Sequence, residues 1–349
     1  MMMNFCSDNV AGITPEILAA IGAANTGASA SYGADQWTAK LDHHLAEIFE
    51  RRIIAYPVVT GTAANALALS IMTPPYGAIY CHDEAHIAVD ECGAPEMYTA
   101  GAKLKTLAGT HGKLSAETVA AALADSRAGD VHHVQPAAIS LTQATEAGTV
   151  YQPAEVGAIS VLARQHGLKV HMDGARFANA VAHLGQSPAD ITWKAGVDVL
   201  CFGATKNGAM SAEVVVFFDD ALAKTFEFHR KRAGHLISKM RFVSAQLDAY
   251  FTDGLWLRLA RHANAMAQRL VQGLTTMPGV KLLYPVEANE IFIQLPVPMV
   301  AALREAGFAF YDWPGSPAGT IRLVTAFNTE QQAVDQFLAT AQRLNNVAA

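Results

Sequence analysis

The sequence lacks the features of several large classes of protein. It has no sustained run of lysine or arginine, and 25 basic against 31 acidic residues leave a net charge of −6, so we expect no nucleic-acid partner. No apolar run reaches the ~18 residues of a membrane span. The first nine residues have neither the basic start nor the apolar core of a secretory signal, and we therefore expect a soluble, cytoplasmic protein without a membrane partner.

Cysteine is scarce as well. The four cysteines are widely spaced and form no CxxC pair, which is typical of a reducing compartment and not of a disulfide-stapled scaffold. The thirteen histidines form no HExxH motif and no spaced Cys/His set, so the sequence predicts no metal site. It also lacks the GxxxxGK[ST] loop of many nucleotide-binding proteins.

What the chain does contain is ample apolar sequence in an alternating pattern. Its 349 residues are 51% hydrophobic, which is enough for a large core. Strand-like and helix-like segments alternate through the first two thirds, and this predicts an α/β fold around a mostly parallel seven-stranded sheet. The strand candidates are Ile53–Val59, Ala78–Cys81, Lys103–Leu107, Ala137–Leu141, Leu168–Met172, Val197–Phe202 and Val214–Phe218.

Helical patterns lie between these strands and after them. The early helix candidates are Trp37–Phe49, Ala63–Met72, Ser115–Ala124 and Pro153–His166. Apolar residues at three- and four-residue spacing then predict a long helix over Ala233–Leu274, as a connecting spine. Three strands, Val280–Tyr284, Glu290–Gln294 and Thr320–Val324, follow with helices Val297–Ala306 and Thr329–Leu344. We therefore expect a large α/β domain over residues 1–248 and a small α+β domain over residues 249–349.

Two polar residues follow successive strands of the predicted sheet. Asp173 comes directly after one buried strand, and Lys206 comes shortly after the next. Because the carboxyl ends of neighbouring parallel strands open onto one crevice, both side chains can reach the same ligand. A lysine amine can form a Schiff base with an aldehyde, and a carboxylate can keep a pyridine nitrogen protonated. The pair predicts a site for pyridoxal 5'-phosphate.

Two further motifs fit this cofactor. The segment Thr60-Gly61-Thr62 has the pattern of a strand, a glycine turn and a helix, whose free amides and dipole attract phosphate. Taken alone, it is better explained as an ordinary helix cap. His86 follows another short strand and can cover one face of the pyridine ring, although an ordinary loop histidine is the alternative.

Arg322 stands inside an apolar strand candidate. An arginine in such a place is costly unless it is paired. A bidentate grip on a substrate carboxylate and an internal salt bridge explain it equally well.

Together these segments resemble the low-specificity L-threonine aldolases, a pyridoxal-phosphate family with the aspartate-aminotransferase fold, fold type I. The resemblance covers nearly the whole chain. Its motifs, in order, are Ser7-Asp8-Asn9, Ser31-Tyr32-Gly33-Ala34-Asp35, Thr60-Gly61-Thr62-Ala63-Ala64-Asn65, Glu84-Ala85-His86-Ile87, His171-Met172-Asp173-Gly174-Ala175-Arg176, Thr205-Lys206-Asn207-Gly208 and Arg322-Leu323-Val324-Thr325.

The resemblance implies an activity and a set of site residues. The activity is cleavage of L-threonine, L-allo-threonine and related β-hydroxy-α-amino acids such as phenylserine to glycine and an aldehyde, by a homodimer or homotetramer. The implied cofactor ligands are Lys206, which binds covalently, Asp173 at the ring nitrogen, Arg176 on the 3-oxygen side, Gly61 and Thr62 at the phosphate, His86 on the ring, and Arg241 near the phosphate of its own or a neighbouring subunit. Ser7 and Arg322 are implied to hold the substrate carboxylate.

One segment departs from the family pattern. Many bacterial relatives carry a histidine at the end of a Ser-Leu-Glu-Asn-Thr-His segment, where it is thought to touch the substrate hydroxyl, and Thr145 occupies that position here. Threonine can form a hydrogen bond but is no base near neutral pH. We therefore expect the hydroxyl proton to pass to His86, to an ordered water or to His133, with His86 preferred.

Two other functions fit part of the pattern. Another enzyme of the same fold, such as a β-eliminating lyase, an aminotransferase or a hydroxymethyltransferase, would share the lysine and the aspartate. A non-catalytic nucleotide-binding protein would use Thr60-Gly61-Thr62 as a phosphate loop. Such a protein would carry no covalently bound aldehyde cofactor.

Overall fold

The computed structural model describes residues 3–348, and their side chains as far as residue 344. The strands of this part of the chain are β1 (Met3–Asn4), β2 (Ile54–Val58), β3 (Gly77–His82), β4 (Lys103–Leu107), β5 (Gln135–Thr142), β6 (Lys169–Gly174), β7 (Val199–Gly203), β8 (Glu213–Phe217), β9 (Lys281–Leu282), β10 (Glu290–Gln294), β11 (Phe308–Ala309), β12 (Tyr311–Asp312) and β13 (Thr320–Val324).

Its α-helices are α1 (Pro15–Ala24), α2 (Gln36–Ile48), α3 (Gly61–Met72), α4 (His86–Val89), α5 (Ala94–Tyr98), α6 (Ala116–Ala124), α7 (Pro153–Gln165), α8 (Phe177–Leu184), α9 (Asp220–Ala223), α10 (Phe226–Arg232), α11 (Arg241–Phe251), α12 (Leu255–Leu274), α13 (Val297–Glu305) and α14 (Gln331–Ala348). Capping side chains mark several of the helix starts. Thr14, Asp35, Thr60 and Ser115 each accept a hydrogen bond from a backbone amide in the first turn of the helix that follows, as capping residues do.

Seven strands form the central sheet, in the order β2-β8-β7-β6-β5-β3-β4. Only β8 runs antiparallel to its neighbours, and the other pairs are parallel. Strands β3, β7 and β8 are buried along their whole length, because helices cover both faces of the sheet and exclude water. The predicted mostly parallel seven-stranded sheet is confirmed.

A second, smaller sheet has the antiparallel order β12-β13-β10-β9, and α12, α13 and α14 contribute to the apolar core beside it. The start of the chain joins this region, because β1 pairs with β11 in a separate two-stranded sheet and Phe5 is buried in the same core. The division into domains at residues 248 and 249 stays a prediction.

The long helix expected over Ala233–Leu274 is wrong. The structure contains α11 and α12 instead, separated by a 3-10 turn over Thr252–Gly254. Asp253 has φ 50° and Gly254 has φ 65°, a left-handed backbone that ends a right-handed helix. The regular spacing of apolar residues gave no indication of this break between the two helices.

Candidate active site

A two-part crevice lies where the central sheet meets the smaller one. The inner chamber is lined by residues that include Thr60, Gly61, Asn65, Asp173, Lys206 and Glu213. The outer chamber is lined by residues that include Ser7, Glu84, Tyr284, Glu290, Trp313 and Arg322. Five residues line both chambers: Asn9, His86, Glu146, Arg176 and Lys206. The crevice therefore joins most of the predicted site residues.

Lys206 lies in a 3-10 turn immediately beyond β7. Gly208 ends this turn with φ 105°, and a Cβ atom there would collide with the side chain of Thr14, so glycine is needed at this position. Beside the turn, the buried Glu213 accepts a hydrogen bond from the Ala204 amide at 3.1 Å. Burial raises the pKa of Glu213 to about 7. The turn thus brings a primary amine into a chamber with a buried carboxyl group.

Asp173, near the end of β6, is only 4% exposed. Its Oδ2 accepts a hydrogen bond from Asn65 Nδ2 at 2.7 Å, and its Oδ1 accepts one from the Ala175 amide at 2.9 Å. Both donors are neutral. Among the described residues no salt bridge reaches this carboxylate. A buried carboxylate without a cationic partner favours a ligand that brings a positive N–H.

Helix α3 begins in the inner chamber. Thr60 caps it, because its Oγ1 accepts a hydrogen bond from the Ala63 amide at 3.2 Å. The Gly61 and Thr62 amides belong to the first turn, where backbone donors lack partners within the helix. A Cβ atom built on Gly61 would meet nothing within 4 Å. The helix start therefore offers donors, a positive dipole end and free space for an anion.

His86 begins the short helix α4 at the junction of the two chambers. Its Nδ1 hydrogen-bonds Glu91 Oε1 at 2.8 Å, and Asn65 Nδ2 donates to the same oxygen at 2.9 Å. The hydrogen bond to Glu91 raises the pKa of His86. A chain of hydrogen bonds thus connects the imidazole to the carboxylate of Asp173, and it leaves His86 Nε2 for other partners.

Arg176 is held by two acids on the outer side of the crevice. Its guanidinium grips Asp8 in a bidentate pair, with Nε to Oδ2 at 2.7 Å and Nη2 to Oδ1 at 3.0 Å. Its Nη1 lies 3.0 Å from Glu290 Oε2. The guanidinium of Arg176 is therefore paired within the protein by two buried acids.

Arg322 and Ser7 line the outer chamber, as the sequence predicts for neighbours of one ligand. Arg322 Nη2 donates to the Cys6 carbonyl at 3.0 Å, and Nη1 lies 3.9 Å from Glu290 Oε1. Its Nε is buried without a hydrogen-bond partner among the described residues. Ser7 Oγ accepts a hydrogen bond from the Asn9 amide at 3.1 Å. Arg322 thus keeps unused donor capacity.

The structure does not bring three of the predicted residues to the crevice. Thr145 is fully buried and its hydroxyl pairs with that of Thr149 at 2.8 Å. His133 lies on a surface loop, 3.7 Å from Asp130. Arg241 starts α11 and donates to the Gly27 carbonyl at 3.2 Å. Their expected roles at the substrate or the phosphate find no support in this geometry within the chain.

Comparison with known proteins identifies the family. A family model described as beta-eliminating lyase matches residues 4–297. The low-specificity L-threonine aldolase of a Pseudomonas species is 45% identical over 335 residues, which are 96% of this chain and 96% of that protein. The chain belongs to the low-specificity L-threonine aldolase family. A Pseudomonas aeruginosa protein of the same name is 44% identical over 330 residues, 95% of this chain and 94% of that protein.

Solved structures agree with this assignment to the threonine aldolases. The threonine aldolase of Leishmania major superposes with a TM-score of 0.92 at 31% identity, covering 98% of this chain and 99% of that one. An aspartate aminotransferase from Rhodobacter sphaeroides superposes with a TM-score of 0.72 at 16% identity, covering 99% and 92%, which shows a shared fold. The expected pyridoxal-phosphate fold type I is therefore confirmed.

Several polar residues of this threonine aldolase family member were missed by the sequence analysis. Asn65 lies one helical turn beyond Gly61, so its spacing on α3 was a usable signal for a side chain facing the crevice. Glu91 had a weaker signal, five residues after His86. Glu213 and Glu290 gave none, because an acid just before a strand candidate or at its first position does not reveal which partner it meets in the fold.

Proposed function

We propose that this protein is a pyridoxal 5'-phosphate-dependent aldolase. Its substrates would be L-threonine, L-allo-threonine and related β-hydroxy-α-amino acids, which it would cleave between Cα and Cβ to glycine and an aldehyde. One observation carries the proposal: the Lys206 amine, the Asp173 carboxylate and the first turn of α3 line a single chamber. The 45% identity to a low-specificity L-threonine aldolase supports the choice of substrate.

The donor set of the inner chamber fits pyridoxal phosphate. The cofactor has an aldehyde for an amine, a basic ring nitrogen for a carboxylate, and a phosphate for a helix start. The space before Gly61 is open, and the hydrogen-bond donors that Asp173 meets within residues 3–348 are neutral. When bound, the cofactor supplies a protonated ring that withdraws electrons from the bond being broken.

Each part of the cofactor would be bound by different residues of the chain. Lys206 would bind the aldehyde carbon covalently, and Asp173 would hold the proton on the ring nitrogen. Gly61 and Thr62 would donate backbone hydrogen bonds to the phosphate. His86 would lie against the ring, with its orientation fixed by the 2.8 Å hydrogen bond to Glu91.

The outer chamber would orient the amino acid. Arg322 has a buried Nε that meets no hydrogen-bond partner in the described part of the chain, and a substrate carboxylate can satisfy it. Ser7 lines the same chamber and can add a hydroxyl. By fixing the carboxylate, these residues would determine which bond at Cα is aligned for cleavage. Arg176 would border the cofactor while its guanidinium stays bound to Asp8 and Glu290.

A spectrum and a cleavage assay test the proposal. The purified protein should be yellow, and L-threonine alone should yield acetaldehyde and glycine. An aminotransferase would instead need a keto acid, a hydroxymethyltransferase would need a folate, and a β-eliminating lyase would release ammonia. A colourless protein that takes up no added pyridoxal phosphate would contradict the proposal.

Lys206→Ala tests which lysine binds the cofactor. Without the amine, the cofactor cannot be held covalently, and borohydride should fix no pyridoxyl group to the protein. Turnover should fall at least about 1000-fold, as expected when one member of a catalytic unit is removed. Borohydride labelling that persists in this variant would show that another lysine carries the cofactor.

The association state and the location are further proposals. We infer a homodimer or homotetramer, in which Arg241 would reach the phosphate of a neighbouring subunit, and light scattering would measure the mass. Within residues 3–348, no helix combines the length and the apolar character that a membrane crossing requires. The proposed cytoplasmic location would be tested by fractionation of the source cells.

A further inference from the structure

The segment that departs from the family pattern turns a different side chain towards the crevice. Thr145, at the position of the family's histidine, is fully buried. Its hydroxyl pairs with Thr149 and donates to the His111 carbonyl at 3.5 Å. The next residue, Glu146, lines both chambers together with Lys206. An acid therefore stands at the junction where the cofactor-bound end of a substrate would lie.

Glu146 is held in place by one of its two oxygens. Its Oε1 accepts hydrogen bonds from the His86 amide at 2.8 Å and from Thr142 Oγ1 at 2.9 Å. Its Oε2 is buried and has no hydrogen-bond partner among the described residues. A buried carboxylate oxygen without a donor is costly. A hydroxyl group of a ligand, or a proton on the carboxyl group itself, would remove that cost.

The state of Glu146 also suits proton transfer. Burial raises its pKa to about 7, and the nearby charge of Asp173 acts in the same direction. A general base works best when its pKa lies near the working pH. His86 differs, because its Nδ1 is already bound to Glu91 and this hydrogen bond raises its pKa, which favours the protonated ring over the basic one.

We propose that Glu146 accepts the proton of the substrate's β-hydroxyl group, an inference that rests on the aldolase function proposed above. The O–H electron pair becomes the second bond of the aldehyde carbonyl as the Cα–Cβ bond breaks. The electron pair of that bond stays with the glycine fragment, which takes up a proton from solvent at Cα. Glu146 releases its proton to solvent, so the reaction consumes no net proton.

Other titratable and charged groups face Glu146 and contribute to its behaviour. Those that line a chamber together with it are His86, Asp173, Arg176, Lys206, Glu213, Glu84, Asp90, Tyr284, Glu290 and Arg322. Cys81 and Tyr151 also interact with its charge. Arg176 is engaged by Asp8 and Glu290. Burial raises the pKa of Cys81 to about 12 and also raises that of Tyr151, so neither titrates near neutral pH.

Glu146→Gln tests the inference, because the amide keeps an acceptor for the His86 amide and Thr142 but cannot take up a proton. Cleavage of L-threonine should fall about 100- to 10,000-fold, the usual contribution of a general base. Two properties that need no β-hydroxyl group should survive within about threefold of wild type: glycine affinity, read from the cofactor's visible absorbance, and exchange of the glycine α-proton in heavy water.

The pH profile gives a second, independent measurement. The carboxylate must be ionised to accept a proton, so wild-type kcat/KM should fall as the pH drops below about 7. In Glu146→Gln this acidic limb should disappear. Thr142→Val removes a hydrogen bond that favours the ionised carboxylate, so its acidic limb should move to higher pH while the limb itself remains.

The outcomes separate the two proposals. If the wild type releases no aldehyde from threonine, the aldolase function fails and this inference fails with it. If the wild type cleaves threonine and Glu146→Gln cleaves it equally well, only the inference is overturned. Loss of glycine affinity and of α-proton exchange in Glu146→Gln would also overturn it, since the residue would then serve the structure of the site.

Discussion

The two chambers of the crevice satisfy their polar groups in different ways. In the inner chamber, the described residues offer Asp173 neutral hydrogen-bond donors only, and the helix start faces open space. In the outer chamber, Arg176 is bound on two sides by Asp8 and Glu290. The inner chamber therefore needs a ligand to complete its interactions. In the outer chamber the protein itself pairs Arg176, and among the described residues the buried Nε of Arg322 and Oε2 of Glu290 are left without a hydrogen bond.

The electrostatics follow the same division. Burial alone would raise the pKa of Asp8, but the positive charges of Arg176 and Lys206 hold it below its usual value. Burial raises the pKa of Glu290 although Arg176 opposes this. Asp8 and Glu290 thus share the guanidinium of Arg176, and Glu290 also lies 3.9 Å from Arg322. Such a network gives the outer chamber a fixed shape before substrate arrives, which suits the orientation of a small amino acid.

Replacing Asp173 with asparagine should break the function of the inner chamber without unfolding it. The variant keeps an acceptor for Asn65 but loses the charge that would hold a pyridinium proton. We expect turnover to fall about 100- to 1000-fold, a typical loss when one preorganised electrostatic contact is removed. Cofactor affinity, measured by absorbance titration, should fall as well.

The stability of the cofactor-free Asp173→Asn variant sharpens this prediction. Its midpoint of unfolding should equal or exceed that of wild type, because the lost charge also repels Glu91 and Glu146. Asp190→Asn, which changes an exposed partner of Lys194, is the matched control and should keep normal turnover. Normal turnover in Asp173→Asn would remove the basis for the proposed electron-withdrawing ring.

Replacing Arg176 with methionine should have the opposite pattern and destabilise the protein without any ligand. The change removes the nearest cation from two buried acids, Asp8 and Glu290, both 2% exposed, and leaves Glu290 with the more distant Arg322 at 3.9 Å. Breaking a buried pair in this way costs about 3 to 5 kcal/mol of unfolding free energy. Chemical denaturation of the cofactor-free protein measures it.

Arg258→Met is the matched control for Arg176→Met. Arg258 lies 3.7 Å from Glu16 in an exposed pair, and such pairs contribute little to stability. Equal effects of the two variants would mean that the network around Arg176 does not stabilise the outer chamber. The comparison between the chambers would then lose its physical basis.

Residues that depend on sheet topology were predictable, and those that depend on distant partners were not. Asp173 and Lys206 follow adjacent parallel strands, so a pattern along the chain translates directly into proximity. The two acids around Arg176 are far apart in the sequence: Asp8 begins a short 3-10 helix, Asp8–Val10, and Glu290 begins β10. No local pattern indicates that they meet. The family resemblance therefore implied that Arg176 lies by the crevice but gave no sign of its partners.

The segment around Thr145 shows a second limit. An alignment position states which residue replaces another, but the path of the backbone decides where the side chain points. Thr145 was expected at the substrate hydroxyl and is buried, while its neighbour Glu146 lines the crevice. His133, the other expected proton acceptor, lies on a surface loop beside Asp130. Its position could not be predicted, because the sequence of a loop has no periodicity that indicates where its side chains point.

Thr145→Val is the smallest change that tests this part of the comparison. The hydroxyl of Thr145 accepts a hydrogen bond from the Thr149 amide at 3.2 Å, so valine would leave a buried donor unsatisfied. We expect a loss of about 1 to 2 kcal/mol in unfolding free energy. The KM for L-threonine should stay within about threefold of wild type, since the affected contacts lie behind the crevice wall. A large rise in KM with unchanged stability would instead place Thr145 at the substrate, and the division between a structural threonine and a proton-accepting Glu146 would have to be abandoned.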